Sequence, residues 1–175
     1  MNPNNWSVVF SFCAVATILS VSYGWLVKQG KLPFRSVMAF NDTQRQFIKV
    51  WAGIALLIGV IIPFVMLVVF WHEPVLRQFF NCYLVTVVVQ LASEIGLSRI
   101  YVKSVVVIIG TLYTGFRIWQ LWWGLHLATY SQPWFLLLWL VWLFWVANII
   151  MLSFLAIPSI APKSDDYSLG SKELD

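Results

Sequence analysis

The sequence predicts an all-α fold, a polytopic membrane bundle of about five transmembrane helices. Its mean hydropathy is +0.82, and only 10% of its residues are charged, whereas about a quarter are charged in a typical soluble domain. Its apolar residues also fall in blocks of about 20, the length that crosses a bilayer as a helix. We therefore expect one membrane domain over residues 1–162 and a polar tail over residues 163–175.

The predicted spans are separated by charged or proline-containing segments. They cover residues 6–27, 50–71, 79–97, 104–125 and 134–157. Pro63 lies near the centre of the second span and is expected to kink it, and Pro158 and Pro162 are expected to stop the fifth. Asn41 or Asp42 is expected to cap a helix that starts before the second span enters the membrane.

The basic residues outside the spans predict the orientation of the chain. One side of the predicted bundle holds nine of them: Lys28, Lys31, Arg35, Arg45, Lys49, Arg99, Lys103, Lys163 and Lys172. The other side holds only Arg77. Because loops rich in Lys and Arg stay in the cytoplasm, we expect an external N-terminus and a cytoplasmic C-terminus. The net charge of +4 then reflects topology and contact with lipid headgroups, so no nucleic-acid partner is expected.

Spans three and four hold most of the polar side chains in the apolar region. In span three these are Tyr83, Thr86, Gln90 and Glu94. In span four they are Tyr113, Arg117 and Gln120. Spacings of three and four residues place each set on one helix face. Ionisable residues at membrane depth are costly, and they indicate a candidate functional site.

A depth estimate from the predicted spans separates the two charges. Glu94 lies near the inner end of span three and Arg117 nearer the outer end of span four, so they differ in depth by roughly 15 Å. We expect Glu94 to pair with Arg99 and Lys103 and so to fix the turn. We expect Arg117 to extend outward toward Glu73 or to hydrogen-bond to Tyr83, Thr86 or a lipid headgroup, and its replacement by leucine to lower abundance.

The functional alternative is a contact site for a ligand or a partner. Its candidate residues are Glu73, Tyr83, Gln90, Glu94, Arg117 and Gln120. Gln90 and Glu94 would form a polar pocket or a proton path in this interpretation.

The evidence for a metal or pigment site is limited to two histidines. His72 and His126 lie near the outer ends of spans two and four, where they could approach one another and ligate a metal, haem or chlorophyll magnesium. Their sequence spacing matches no metal motif, and no catalytic motif is present. Trp139, Trp142 and Trp145 recur every three residues; they form either a packing or lipid-facing surface, or a flat wall for a partner helix, carotenoid, chlorophyll or sterol-like ligand.

The hairpin of spans three and four resembles that of uncharacterised small membrane proteins of cyanobacteria and plastids. The resemblance is carried by Gln90-x-x-x-Glu94 and by the segment YTGFRIWQL over residues 113–121. It implies a thylakoid membrane or the plasma membrane of such a cell. The chain is also similar in composition to five-helix tryptophan-rich sensory proteins, but it has no counterpart of their first-loop motif.

We therefore predict a non-enzymatic integral membrane protein whose partners are the lipid bilayer and other membrane protein subunits. The favoured function is an accessory subunit or assembly factor of a larger membrane complex, photosynthetic if the resemblance holds. The alternative is a binder or carrier of a hydrophobic small molecule such as a tetrapyrrole, carotenoid or lipid. No cofactor is required, although chlorophyll, carotenoid and haem all remain open.

Overall fold

A computed structural model describes residues 5–38, 40–127 and 130–161. In this part of the chain the regular structure is entirely helical, which confirms the predicted class. Five helices are long and apolar enough to cross a membrane: α1 (Trp6–Lys28), α2 (Asp42–Val69), α3 (Pro74–Ile100), α4 (Val105–Leu125) and α5 (Trp134–Ile160). Pro162 and the predicted tail, with Lys163 and Lys172, lie outside the described residues.

Helices α2 and α3 extend beyond the spans predicted from hydropathy. Asn41 caps α2, because its side chain accepts the backbone N–H of Gln44 at 2.8 Å and the Gln44 side chain accepts the N–H of Asn41 at 3.0 Å. Helix α3 begins at Pro74, since proline suits the first turn, where no intrahelical N–H bond is needed. Hydropathy misses these ends because their residues are polar.

Each of α2 and α5 contains a π-helical turn shortly before a proline. The turns span Leu57–Ile61 and Leu152–Ala156. After the second turn, α5 continues through Pro158 to Ile160, so this proline does not end the helix as expected. Proline is tolerated there because it occupies the start of the helical segment that follows the π turn.

Hydrogen bonds bring three helix ends to one side of the bundle. The Lys28 ammonium at the end of α1 donates to the carbonyl of Ile100 at the end of α3, at 3.1 Å. The backbone N–H of Arg35 donates to the carbonyl of Ile160 at the end of α5, at 2.9 Å. We call this side the basic end; among its residues are Lys28, Lys31, Arg35, Arg99 and Lys103. These basic residues lie on one side of the bundle, as the predicted topology requires. The placement of this side in the cytoplasm rests on the positive-inside rule.

Helix α4 forms the centre of the bundle, whereas the first part of α2 lies at its edge. Of the apolar stretch of α4, 56% is buried, against 33% or less for each of the other four helices. A Cβ added at Gly124 would overlap the ring of Phe79, so glycine permits the close approach of α3 and α4. By contrast, no residue of Asp42–Leu56 is buried. A space therefore remains between this segment and the helices behind it.

Candidate ligand-binding cavity

A cavity of about 280 Å³ lies between α2, α3, α4 and α5. Four of its lining residues are polar or charged: Gln90, Glu94, Arg117 and Asn148. The remainder is apolar or aromatic and includes Trp51, Val87, Leu91, Trp145, Met151 and Leu152. Small-molecule sites are typically apolar cavities of roughly 300–1,000 Å³ with a few placed polar groups. The cavity has this character and is near the lower end of that size range.

Arg117 is a buried cation whose guanidinium has no hydrogen-bond partner among the described residues. Only 2% of its surface is exposed, and its Nε is fully buried and unpaired. The guanidinium carbon lies 4.3 Å from the centre of the Trp145 ring and 6.0 Å from that of Tyr83. Cation–π attraction therefore holds Arg117 in place without using its N–H groups.

Glu94 and Gln90 form a hydrogen-bonded pair on the other side of the cavity. The Gln90 amide N–H donates to the Glu94 carboxylate, one helical turn away. The Gln90 amide oxygen is buried and has no partner. Glu94 interacts electrostatically with Arg117, although the two do not form a contact ion pair.

The predicted separation of Glu94 and Arg117 is not found, because both line this one cavity. Glu94 lies six residues before the end of α3 and Arg117 twelve residues after the start of α4, so the backbone difference in depth is about 9 Å. Side chains tilt toward the N-terminus of their own helix. Since α3 and α4 run in opposite directions, the two side chains lean toward each other and reduce the gap.

The expected turn pairing of Glu94 with Arg99 and Lys103 does not form either. Helix α3 continues to Ile100, which places Arg99, five residues after Glu94, about 140° around the helix. Arg99 and Lys103 are exposed at the basic end. The prediction assumed that the helix ended at residue 97 and that the turn brought these groups together.

The expected outer cluster around Arg117 and Glu73 is also not formed. Glu73 is exposed and immediately precedes α3, at the end of the bundle opposite the basic end. Arg117 is buried against Trp145. Its side chain leans toward the N-terminus of α4, and therefore away from Glu73.

Asn148 is a cavity residue that the sequence analysis did not identify. Its amide oxygen accepts from the Trp51 indole N–H at 2.7 Å, and its amide N–H donates to the Thr114 hydroxyl at 2.9 Å. Asn148 thus connects α2, α4 and α5 and closes one wall of the cavity. The feature of the sequence that could have indicated this role is Asn148 itself, a carboxamide side chain within the apolar span five.

Tyr83 and Trp145 support the wall on which Arg117 rests. The Trp145 indole N–H donates to the Tyr83 hydroxyl at 2.8 Å, and that hydroxyl donates to the carbonyl of Gly59 at 2.7 Å. This carbonyl is free because Pro63, four residues later, has no N–H to donate to it. Trp145 therefore differs from Trp139 and Trp142, its neighbours in the aromatic row, because it is buried and forms part of the site.

The remaining predicted residues lie outside the cavity lining. Gln120 shares the polar face of α4 with Arg117 and is fully buried, and neither end of its amide is hydrogen-bonded to a described residue. The His126 ring nitrogen lies 2.8 Å from the carbonyl of Trp122, and His72 is exposed. Among the described residues, no group of three or more His, Cys, Asp or Glu is arranged to hold a metal ion.

The described residues thus form a helical bundle with five helices long and apolar enough to cross a membrane, and the cavity between them has a mostly apolar lining with four polar or charged residues. No protein-family model, curated protein sequence or solved structure matches the chain. The functional argument therefore rests on the cavity and its residues.

Proposed function

We propose that the chain is a non-enzymatic membrane protein that binds a small hydrophobic molecule in the cavity. The observation that supports this most directly is that the buried Arg117 lines a cavity while its Nε has no hydrogen-bond partner among the described residues. A buried unpaired donor costs about 1–3 kcal/mol, and more when it is charged. Its retention at membrane depth favours a role in binding over a role in folding.

The cavity is open to ligands that arrive through the bilayer. Leu56 of α2 and Leu91 of α3 line it and are 54% and 44% exposed, so it reaches the surface between these two helices. Its volume of about 280 Å³ corresponds to roughly nine groups of water size, at about 30 Å³ each. A long molecule would place its polar end inside, and its chain would pass between α2 and α3 toward the lipid.

Among the ligand classes considered, this geometry favours a long-chain amphiphile such as a lipid or a polar carotenoid over a metal tetrapyrrole. Haem iron and chlorophyll magnesium are commonly held by histidine, and neither His72 nor His126 lines the cavity. The photosynthetic membrane remains an expectation from the resemblance of the hairpin.

A second candidate function is that of an accessory subunit or assembly factor. It is favoured by the first part of α2, Asp42–Leu56, which has no buried residue. The segment exposes Phe47, Val50 and Ile54, and an adjacent helix of a partner subunit would bury these side chains. Partner binding and ligand binding are compatible, because they use opposite sides of α2.

Filling the cavity tests the first proposal. A Cβ added at Gly110 would only make ordinary contacts with Leu152, at 3.8 Å, so Gly110→Leu should fold and occupy the cavity. Gly115→Leu is a matched control, because Gly115 lies on the exposed side of the same helix with no atom within 4 Å of an added Cβ. Each protein is purified in mild detergent, and small molecules are extracted and identified by mass spectrometry alongside an absorption spectrum.

We expect the wild type and Gly115→Leu to retain the same hydrophobic compound and Gly110→Leu to lose it. Retention by all three would contradict binding in the cavity. Proteins that co-purify in constant ratio would support the accessory-subunit function, particularly if Val50→Glu on the exposed side of α2 releases them.

A further inference from the structure

We infer that the ligand carries a carboxylate, which binds to the free edge of the Arg117 guanidinium. This inference rests on the proposed ligand-binding function and specifies the chemistry that the site would recognise. It follows from the groups in the cavity that are already hydrogen-bonded and from those that are not.

The guanidinium of Arg117 has a covered face and a free edge. Trp145 lies against it at 4.3 Å, which is typical of stacking of the planar cation on an aromatic ring. The N–H groups of arginine point outward in the plane of the group, so this stacking leaves them available. Their fixed fork geometry matches the two oxygens of one carboxylate.

The other polar groups of the cavity offer little to a ligand. Both ends of the Asn148 amide are bonded, to Trp51 and Thr114. The Glu94 carboxylate accepts from Gln90 through one of its oxygens, and the buried Gln90 amide oxygen has no partner among the described residues. Among the described side chains that line the cavity, the unpaired donors are thus mainly those of the Arg117 cation, which calls for an acidic acceptor.

Charge favours a carboxylate over a phosphate monoester, which carries up to two negative charges. An ionised Glu94 would place one negative charge in the same cavity as Arg117, so a singly charged head would meet less repulsion than a doubly charged one. By the same argument, Glu94 should weaken the binding of an acidic ligand, and removal of its charge should strengthen that binding. A like charge roughly 12 Å away at an effective dielectric constant of about 20 weakens binding about tenfold.

The experiment compares three compounds with one chain length: hexadecanoic acid, hexadecanol and methyl hexadecanoate. Binding to delipidated protein in detergent is measured by displacement of radiolabelled hexadecanoic acid. We expect the acid to bind at least about tenfold more tightly than the alcohol or the ester, because only the acid forms charge-assisted hydrogen bonds.

Variants of Arg117 and Glu94 test whether the preference for the acid arises at these residues. Arg117→Gln and Arg117→Lys should each weaken acid binding by about tenfold or more, since lysine keeps the charge but lacks the fork. Glu94→Gln should strengthen it by about tenfold. Arg99→Gln is the matched control, because it removes a cation that is exposed at the basic end, and it should change nothing.

Two failures of the experiment are distinguishable. If the alcohol and the ester bind as tightly as the acid, or if Arg99→Gln weakens acid binding as much as Arg117→Gln does, the carboxylate inference is overturned while ligand binding stands. If none of the compounds binds to the wild type, and Gly110→Leu retains the same extracted molecules as the wild type, the proposed function itself fails. The comparison of head groups needs only the wild type, so it holds even if a variant does not fold.

Discussion

Replacement of Arg117 by methionine should leave the ligand-free protein at least as stable as the wild type. Methionine is flexible and unbranched, so it can follow the path of the arginine stem without its charge. The substitution would lower stability only if Arg117 made contacts that outweigh the cost of its burial.

The change in the free energy of unfolding follows from the contacts that Arg117 makes and from the cost of burying it. The main losses are the cation–π contact with Trp145 at 4.3 Å, worth about 2 kcal/mol when desolvated, and the attraction to Glu94, worth about 1–2 kcal/mol at an effective dielectric constant of about 20. The gains are removal of a buried unpaired Nε, about 1–3 kcal/mol, and of a desolvated charge, which costs several kcal/mol. We expect a net change between zero and about 3 kcal/mol in favour of the variant, with Tm rising roughly 2–4 °C per kcal/mol.

The measurement is thermal unfolding in detergent, followed by tryptophan fluorescence after the bound ligand has been removed. Removal is necessary because a ligand bound only to the folded state raises its apparent stability. Arg77→Met is the control: Arg77 lies over Trp71 at 5.6 Å near the surface, so stability should change by at most about 0.5 kcal/mol. A fall in Tm of roughly 5 °C or more for Arg117→Met would refute the reasoning. That result would instead support the expectation from the sequence that Arg117→Leu lowers abundance.

Three further substitutions test the packing around the site by the same unfolding measurement. Tyr83→Phe should cost about 2–4 kcal/mol in the free energy of unfolding, because two buried groups lose their partner. Tyr113 is equally buried, and its hydroxyl has polar neighbours such as Cys13 but no hydrogen bond of ordinary geometry to a described residue, so Tyr113→Phe should cost less; equal losses would contradict this account. Gly124→Ala should destabilise the folded protein by about 1–3 kcal/mol, because the added Cβ would overlap the Phe79 ring. Gly115→Ala, as the control, should be neutral or stabilise the protein by up to about 1 kcal/mol. Asn148→Leu should cost about 1–3 kcal/mol and speed hydrogen exchange in the first part of α2; unchanged exchange there would refute its role as a connection.

The fold was predictable because hydropathy and helix length are strong constraints in a membrane protein. A bilayer requires every backbone group to be bonded within the chain, so an apolar stretch of spanning length becomes a helix. The cap at Asn41 was also predictable, since it depends on local residues. The ends of α3 and α5 were not, because hydropathy does not report where a helix continues through polar residues or past Pro158.

The site was predictable in its residues but not in its grouping. Gln90, Glu94 and Arg117 are conspicuous as polar side chains in apolar spans, and all three line the cavity. Their separation into two clusters came from counting residues to the ends of the spans. That count gives the depth of a Cα atom, whereas the charges of Glu94 and Arg117 lie at the ends of side chains that lean in opposite directions. Asn148 was missed because its role depends on partners in two distant helices.

Residues of α2 fix the wall of the cavity on which Arg117 rests, and they do so without a ligand. Pro63 frees the carbonyl of Gly59, which accepts from Tyr83, and Tyr83 in turn accepts from Trp145. The absence of a side chain at Gly59 makes room for this indole, because an added Cβ would lie 2.5 Å from its ring. The orientation of Trp145, and hence of the guanidinium stacked on it, is therefore fixed by buried hydrogen bonds within the protein. A ligand that binds to the free edge need not order this cation, and such preorganisation increases affinity by reducing the entropy lost on binding.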